Sequence, residues 1–357
     1  MNKKKEIIIA IDTSCDETSA AIVCGRCVLS SVVYSQILIH KKWGGVMPQI
    51  AKRAHEERID GVVEETFRKA RRNSISNWKD ITAIAVTYGP GLAIALGVGI
   101  DKAIELSKKH KIPLIGVNHM EGHLYSPFVQ NSKGSPDRDF QFPYLGLLVS
   151  GAHTEIVLFK NHLKYEILGE TRDDACGEAL DKAARMLGFG YPGGPILERL
   201  ASEIDNVDKY KFPRPMIGTK NFDFSFSGLK TSFLYFTNSM SDSDKLENIS
   251  FLASSFQEAV FTTLVRKTMK AMKHTEVNSV LVGGGVAVNH RLRTLMRRMV
   301  KEQGGVILFP SQNYLNFDNA AMIGLVGAIR AERKLFAKSR SDVERVARLS
   351  LLQSSIK

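Results

Sequence analysis

Cysteine is scarce: Cys15, Cys24, Cys27 and Cys176 are the only four in 357 residues. So few thiols in so long a chain make no disulfide framework, which excludes the small secreted scaffolds. No apolar run approaches the roughly 20 residues that cross a bilayer. The apolar stretch between the basic start and Asp12 is too short for the core of a secretory signal. The expectation is a cytoplasmic protein without a membrane partner. Acidic residues are also short, 37 against 49 basic ones, which leaves a net charge of +12 and a pI near 9.4. Such a balance suits an acidic macromolecule such as a nucleic acid, although lysine-rich codon usage produces it too. Cys24 and Cys27 form a C-x-x-C with no second pair to complete a zinc site. They bracket Gly25-Arg26 between two strand-like runs, which reads as a hairpin turn.

What is present is the composition of a globular protein, 44% apolar and 24% charged, long enough for two lobes. The isoleucine-rich run from Lys5 to Asp12 reads as a buried strand, broken by a small polar turn at 13–18 and resumed to Cys24. Tyr144 to Phe159 repeats this grammar around Ser150-Gly151-Ala152-His153-Thr154, so the chain reads as a duplicated lobe, each copy opening with a phosphate-facing hairpin. Helical stripes are expected at 51–72, 92–110, 173–187 and beyond Asp318, with Asp318 or Asn316 capping the last. Asp223 to Thr231 reads as extended, and 238–248 as a polar connection.

His119 and His123 lie four residues apart just after a strand at 114–117, so both imidazoles share one helix face. H-x-x-x-H alone is more often two polar histidines on a helix face than a metal site. A metal needs a third ligand, and Asp318 is a candidate. Two glycines before Pro195, and Gly283-Gly284-Gly285 between a strand and a helix, allow backbone to approach a ligand. The latter run is neither a dinucleotide fingerprint nor a P-loop.

Ten blocks in order, IDTSCDETSAAIV, GVMPQIAKRAHEERI, YGPGL, NHMEGHLYS, LVSGAHT, GEALDKAARMLG, YPGGP, DFSFSGLKT, GGGVAVNHRLR and FDNAAMIG, resemble the TsaD family over about 7–330. This family, formerly labelled O-sialoglycoprotein endopeptidase, is a branch of the actin-like ATPases. The resemblance implies an α/β, two-lobed fold of the actin-like, ribonuclease-H-like kind with an interlobe nucleotide and metal cleft. It places one lobe at 1–118, completed by a C-terminal helix at 319–345, and the other at 119–318. It implies a tRNA threonylcarbamoyltransferase, which moves the L-threonylcarbamoyl group from threonylcarbamoyl-AMP to N6 of the adenosine 3′ of the anticodon and releases AMP. Its tRNA substrates read codons that begin with A. Carried over by position, the metal ligands are His119, His123 and Asp318, with Fe(II) first and Zn(II) as the alternative. Substrate and adenylate contacts fall on Leu148, Val149, Ser150, Gly151, Ala152, Asp181, Gly194 and Asn289, with or without Mg2+. Implied partners are a TsaB-type paralogue, a TsaE-type ATPase and a threonylcarbamoyl-AMP synthase upstream. Ala152, Cys176 and Phe317 depart from the family pattern, and none of them is a metal ligand.

Three rivals remain on the residues. A metallopeptidase needs a glutamate beside the first histidine, whereas Glu121 lies about 200° round a helix from His119. A small-molecule kinase of the same superfamily fits paired phosphate hairpins, but positions Mg2+ with carboxylates and phosphates rather than imidazoles. A non-catalytic tRNA-binding scaffold shares the basic surface.

Overall fold

The computed structural model describes residues 6–354; the basic run at 3–5 lies outside them. The chain forms two compact units. The first extends to Phe140, takes back His162–Lys164 and resumes from Pro310; the second holds Gln141–Asn161 and Tyr165–Phe309. The passage between units therefore comes at 140/141 rather than before His119, so the histidine helix stays with the first sheet.

The first unit contains β1 (Ile7–Asp12), β2 (Glu17–Cys24), β3 (Cys27–Ser35), β4 (Ala83–Gly89) and β5 (Leu114–Asn118). Their order is β3-β2-β1-β4-β5. The β1-β2-β3 pairings are antiparallel, while β1-β4 and β4-β5 are parallel. Successive side chains of a strand face opposite ways, and both faces of β1 are covered. Ile9 and Ile11 join a core with Ile59, Val63, Leu96 and Ile100 of helices Pro48–Ala70 and Ala93–His110. Ile8 and Ala10 meet helix Ala320–Glu332, where Gly324 and Gly327 allow close approach: a Cβ on either would come within 2.8 Å of Val23 or Ala85. Two-sided burial is why the strand reads as unbroken isoleucine.

The second unit contains β6 (Tyr144–Val149), β7 (Thr154–Asn161), β8 (Lys164–Glu170), β9 (Ser279–Gly283) and β10 (Val306–Leu308), in the order β10-β9-β6-β7-β8. β6-β7 is antiparallel, and β6-β9 and β9-β10 are parallel. Read outward from β1 and from β6, the two sheets have the same topology, so the expected duplication is present.

Three local expectations are corrected. Asn319, not Asp318 or Asn316, caps the last helix, its Oδ1 accepting from Met322 N at 3.1 Å. Asn316 instead donates back to its own turn, at Asn313 O and Gln312 O. Only the first part of Asp223–Thr231 is extended. Helix Ser227–Asn238 begins where burial changes from alternate residues, Phe224 and Phe226, to Leu229, Phe233 and Thr237. The polar connection at 238–248 contains helix Asp242–Glu247, capped by Ser241.

Candidate metal centre and ligand-facing turns

β5 ends at Asn118, whose side chain accepts from Met120 N at 2.8 Å and so starts the helix at His119. All seven residues of this helix, His119–Tyr125, are buried. The His119 and His123 rings stand edge to face, centroids 4.7 Å apart. Asp318, freed by the shift of the cap to Asn319, points one carboxylate oxygen at both: Oδ1 is 3.2 Å from His119 Nε2 and 3.4 Å from His123 Nε2. One ligand atom from each of the three lies within 4.8 Å of the others.

A fourth residue, which the sequence reading overlooked, supports them. Asp12, the fully buried end of β1, places Oδ2 3.5 Å from His119 Nδ1. No hydrogen bond joins the two atoms, but the negative charge favours the proton on Nδ1, the tautomer that leaves Nε2 bare for an ion. Its sequence signal was an acid closing an otherwise apolar strand.

The two carboxylates, Asp12 and Asp318, favour positive charge at His119, which without an ion is a proton on its ring. Burial works against protonating His119, but Asp318 and Asp12 outweigh it and lift its pKa well above the ordinary value. For His123 burial wins and the pKa falls. Partial burial would raise Asp318, yet the two imidazoles hold it far below the usual carboxylate range. Both ring nitrogens of His123, with His119 Nδ1 and Asp12 Oδ2, are buried without a hydrogen-bond partner. Each such atom costs about 1–3 kcal/mol if left alone. A cation facing the two Nε2 atoms and Oδ1 would satisfy His123 Nε2, so this N2O set fits a borderline divalent ion.

Glu121 is fully buried and tied elsewhere, with Arg330 Nη2 donating to both carboxylate oxygens at 2.9 Å. It cannot serve as the general base a peptidase would need, and that reading falls.

In the first hairpin turn Thr13 Oγ1 donates to Ala95 O at 2.9 Å and accepts from Gly99 N at 3.1 Å. Ser14 N donates to Asp12 Oδ1 at 3.2 Å. In the turn expected to face phosphate, Thr13 Oγ1 is thus tied to helix Ala93–His110 and Ser14 N to Asp12, while Ser14 Oγ is buried without a partner.

The second turn differs. Leu148 and Val149 are core residues of β6, whereas Gly151 and Ala152 are exposed. Ser150 Oγ accepts from His153 N at 3.0 Å, and Ser150 O accepts from Gly177 N at 3.2 Å. A Cβ at Gly177 would lie 2.6 Å from Ser150 O, so the turn rests directly on the start of helix Cys176–Met186. On that helix Asp181 Oδ1 accepts from Gly193 N at 2.7 Å and Gly194 N at 3.2 Å, which joins two of the predicted contact residues. Burial raises the Asp181 pKa against those two bonds. Asn289 has both polar ends occupied: Oδ1 caps helix His290–Glu302, and Nδ2 donates to Gln257 at 3.0 Å.

The family model described as TsaD, tRNA N6-adenosine threonylcarbamoyltransferase, matches residues 27–325. The chain belongs to the TsaD family. Relatives bearing the name tRNA N6-adenosine threonylcarbamoyltransferase include one from Clostridium kluyveri, 49% identical over 89% of this chain and 90% of its own length. Another, from Desulfitobacterium hafniense strain Y51, is 44% identical over 94% and 96% respectively. Among solved structures, HypF from T. kodakarensis superposes with a TM-score of 0.63 at 15% identity, over 95% of this chain and half of that one. That likeness concerns the fold alone, an α/β fold of the actin-like ATPase kind with two five-stranded sheets.

Proposed function

We propose that this chain transfers the L-threonylcarbamoyl group from threonylcarbamoyl-AMP to N6 of the adenosine 3′ of the anticodon in tRNAs reading codons that begin with A. The N6–carbamoyl bond forms, the bond from the carbamoyl carbon to the phosphate oxygen breaks, AMP leaves, and the amine gives up a proton. The observation that carries this reading is an N2O triad of two buried histidines and a partly buried Asp318, with an orphaned His123 Nε2, in a chain similar along nearly its whole length to transferases of that name.

In this reading His119, His123 and Asp318 hold one divalent ion, Fe(II) first and Zn(II) as the alternative. When bound, such an ion supplies Lewis acidity and stabilises negative charge on the departing phosphate. Asp12 orients His119. In the second unit, the backbone N–H groups of the turn ending Leu148-Val149-Ser150-Gly151-Ala152 offer donors to the acyl phosphate, with or without Mg2+. Asp181 keeps Oδ2 for a ribose hydroxyl because Oδ1 is spent on Gly193 and Gly194. Gly194 gives room beside it, since a Cβ there would meet open space. Asn289 contributes through its place at the head of a helix rather than through a free amide.

The enzyme works in the cytoplasm with a TsaB-type paralogue, a TsaE-type ATPase and an upstream threonylcarbamoyl-AMP synthase. No helix among the described residues is long and apolar enough to cross a membrane. The test is nucleoside mass spectrometry on unmodified tRNA given this protein, threonylcarbamoyl-AMP and the partner proteins. Threonylcarbamoyladenosine is expected from wild type and not from His119→Ala. Absence of product from wild type, while a known relative is active in the same mixture, would sink the proposal.

A further inference from the structure

A run of buried polar contacts begins beside the candidate metal centre and ends at an exposed aromatic segment of the first unit. Asp12 Oδ2 faces His119 Nδ1 at 3.5 Å without a hydrogen bond, and Asp12 Oδ1 accepts from Ser14 N at 3.2 Å. The next residue, Cys15, accepts at its carbonyl from His55 Nε2 at 3.0 Å. His55 Nδ1 faces Thr18 Oγ1 at 2.7 Å and Gln36 Nε2 at 3.3 Å. Gln36 Oε1 lies 3.0 Å from His40 Nε2, and Met47 N donates to His40 Nδ1 at 3.3 Å. The tautomers follow from the fixed donors and acceptors. A backbone N–H only donates, so His40 Nδ1 is bare and Nε2 carries the proton given to Gln36. A carbonyl only accepts, so His55 Nε2 carries its proton and Nδ1 accepts. Gln36, His40 and His55 are all fully buried. His40 thus clasps both ends of the segment 36–47.

The side chains this clasp presents outward are apolar and cationic. Trp43 is 60% exposed, with Leu38 and Met47 exposed beside it. Lys41 and Lys42 are exposed and make no ion pair among the described residues. The other tryptophan, Trp78, is stacked on His110 at 4.2 Å, the usual fate of so large a ring. A held, exposed indole beside two uncompensated ammonium groups has the chemistry of a stacking platform flanked by phosphate contacts. A protein partner fits less well, because lysine is depleted from protein interfaces and each ammonium would need a carboxylate or lose its water.

We propose that segment 38–47 contacts RNA, with Trp43 stacking on an unpaired base of the anticodon loop near the substrate adenosine and Lys41 and Lys42 meeting the adjoining phosphates. This rests on the RNA-modifying function proposed above. It is tested by titrating full-length Trp78→Phe protein, whose one tryptophan is then Trp43, with an unmodified anticodon stem-loop RNA. Saturable quenching of the Trp43 emission is expected. Trp43→Ala should weaken RNA binding about tenfold or more, the range of one lost stack, while Trp43→Phe keeps most of the affinity. Replacing Lys41 and Lys42 together by Ala should lower the slope of log affinity against log salt by about 1.4, the single-strand value for two phosphates. Tyr235→Ala, at a still more exposed aromatic of the second unit, should change nothing.

Unquenched emission together with unaltered RNA affinity in Trp43→Ala overturns the inference, as does quenching by an added partner protein alone. The two proposals separate cleanly. If wild type makes threonylcarbamoyladenosine while the Trp43 readouts stay flat, only the RNA contact fails. RNA quenching without product removes the reaction and leaves the contact.

Discussion

The β1-β2 and β6-β7 turns occupy the same place in two sheets of the same topology, yet they are put to opposite uses. The last residue of β1 is Asp12 and the last of β6 is Val149, both fully buried. In the first unit the buried acid makes the turn a support: Thr13 Oγ1 and Ser14 N are bonded inward, and Asp12 faces His119. In the second unit no charge is buried at that point, and the turn leaves Gly151 and Ala152 exposed above the helix that carries Asp181. Duplication provides two equivalent turns, and one buried side chain separates a scaffold for a candidate metal centre from a candidate surface for a ligand.

Breaking the first unit should have the largest effect. Asp318→Ala removes the oxygen that faces both imidazoles. Losing several kcal/mol of charge stabilisation corresponds to roughly a thousandfold drop in transfer, with bound metal per chain falling toward zero by elemental analysis. Full metal content in this variant would dissociate Asp318 from the site. Asp12→Asn keeps the shape but removes the charge behind His119. Outer partners of ligating histidines are worth about 10–100-fold in metal affinity, which competition against a graded chelator reads directly. An unchanged affinity would reduce Asp12 to a turn residue like its counterpart Val149.

A smaller loss is expected in the second unit. Asp181→Asn still accepts from Gly193 N and Gly194 N, so the turn should stay folded. It loses the charged acceptor for a ribose hydroxyl, a bond of about 1.5–3 kcal/mol when one partner is charged. The KM for threonylcarbamoyl-AMP should therefore rise about tenfold or more with little change in melting temperature. A variant that melts early at unchanged KM would make Asp181 a structural clip.

The chain displayed much of this in advance because its strongest signals are local. Unbroken apolar β1, the repeated strand–turn–strand grammar and the H-x-x-x-H spacing depend on periodicity, which folding leaves intact. Asp12 was hidden because its role depends on β1 and β5 lying on either side of β4, a pairing that no spacing reports. The cap failed for a related reason. Asn316, Asp318 and Asn319 are all competent caps in sequence, and the packing of helix Ala320–Glu332 on β1 and β2 selected the last. Gln36, His40 and His55 form no sequence motif, because their network closes between a short helix with its N-cap and the separate helix Pro48–Ala70.

The strands leaving the two turns allow one finer comparison. Glu17 near the start of β2 and Glu155 near the start of β7 both have pKa values lifted by burial first and by neighbouring carboxylates second. Glu17 has Ser35 Oγ donating to it at 3.3 Å, whereas Oε2 of Glu155 is buried with no hydrogen-bond partner. Burial and the nearby Glu170 push Glu155 up to about 7. In the unfolded chain it ionises near the ordinary glutamate value, so the folded state binds the extra proton. Its contribution to stability is full below the unfolded pKa and is lost as pH rises through about 7. Wild type should lose melting temperature between pH 5 and 7 more steeply than Glu155→Gln, and the two profiles should run parallel above that window. Coincident profiles across the whole range would mean that water reaches Oε2, and the second turn would then rest on a wetter strand than its counterpart.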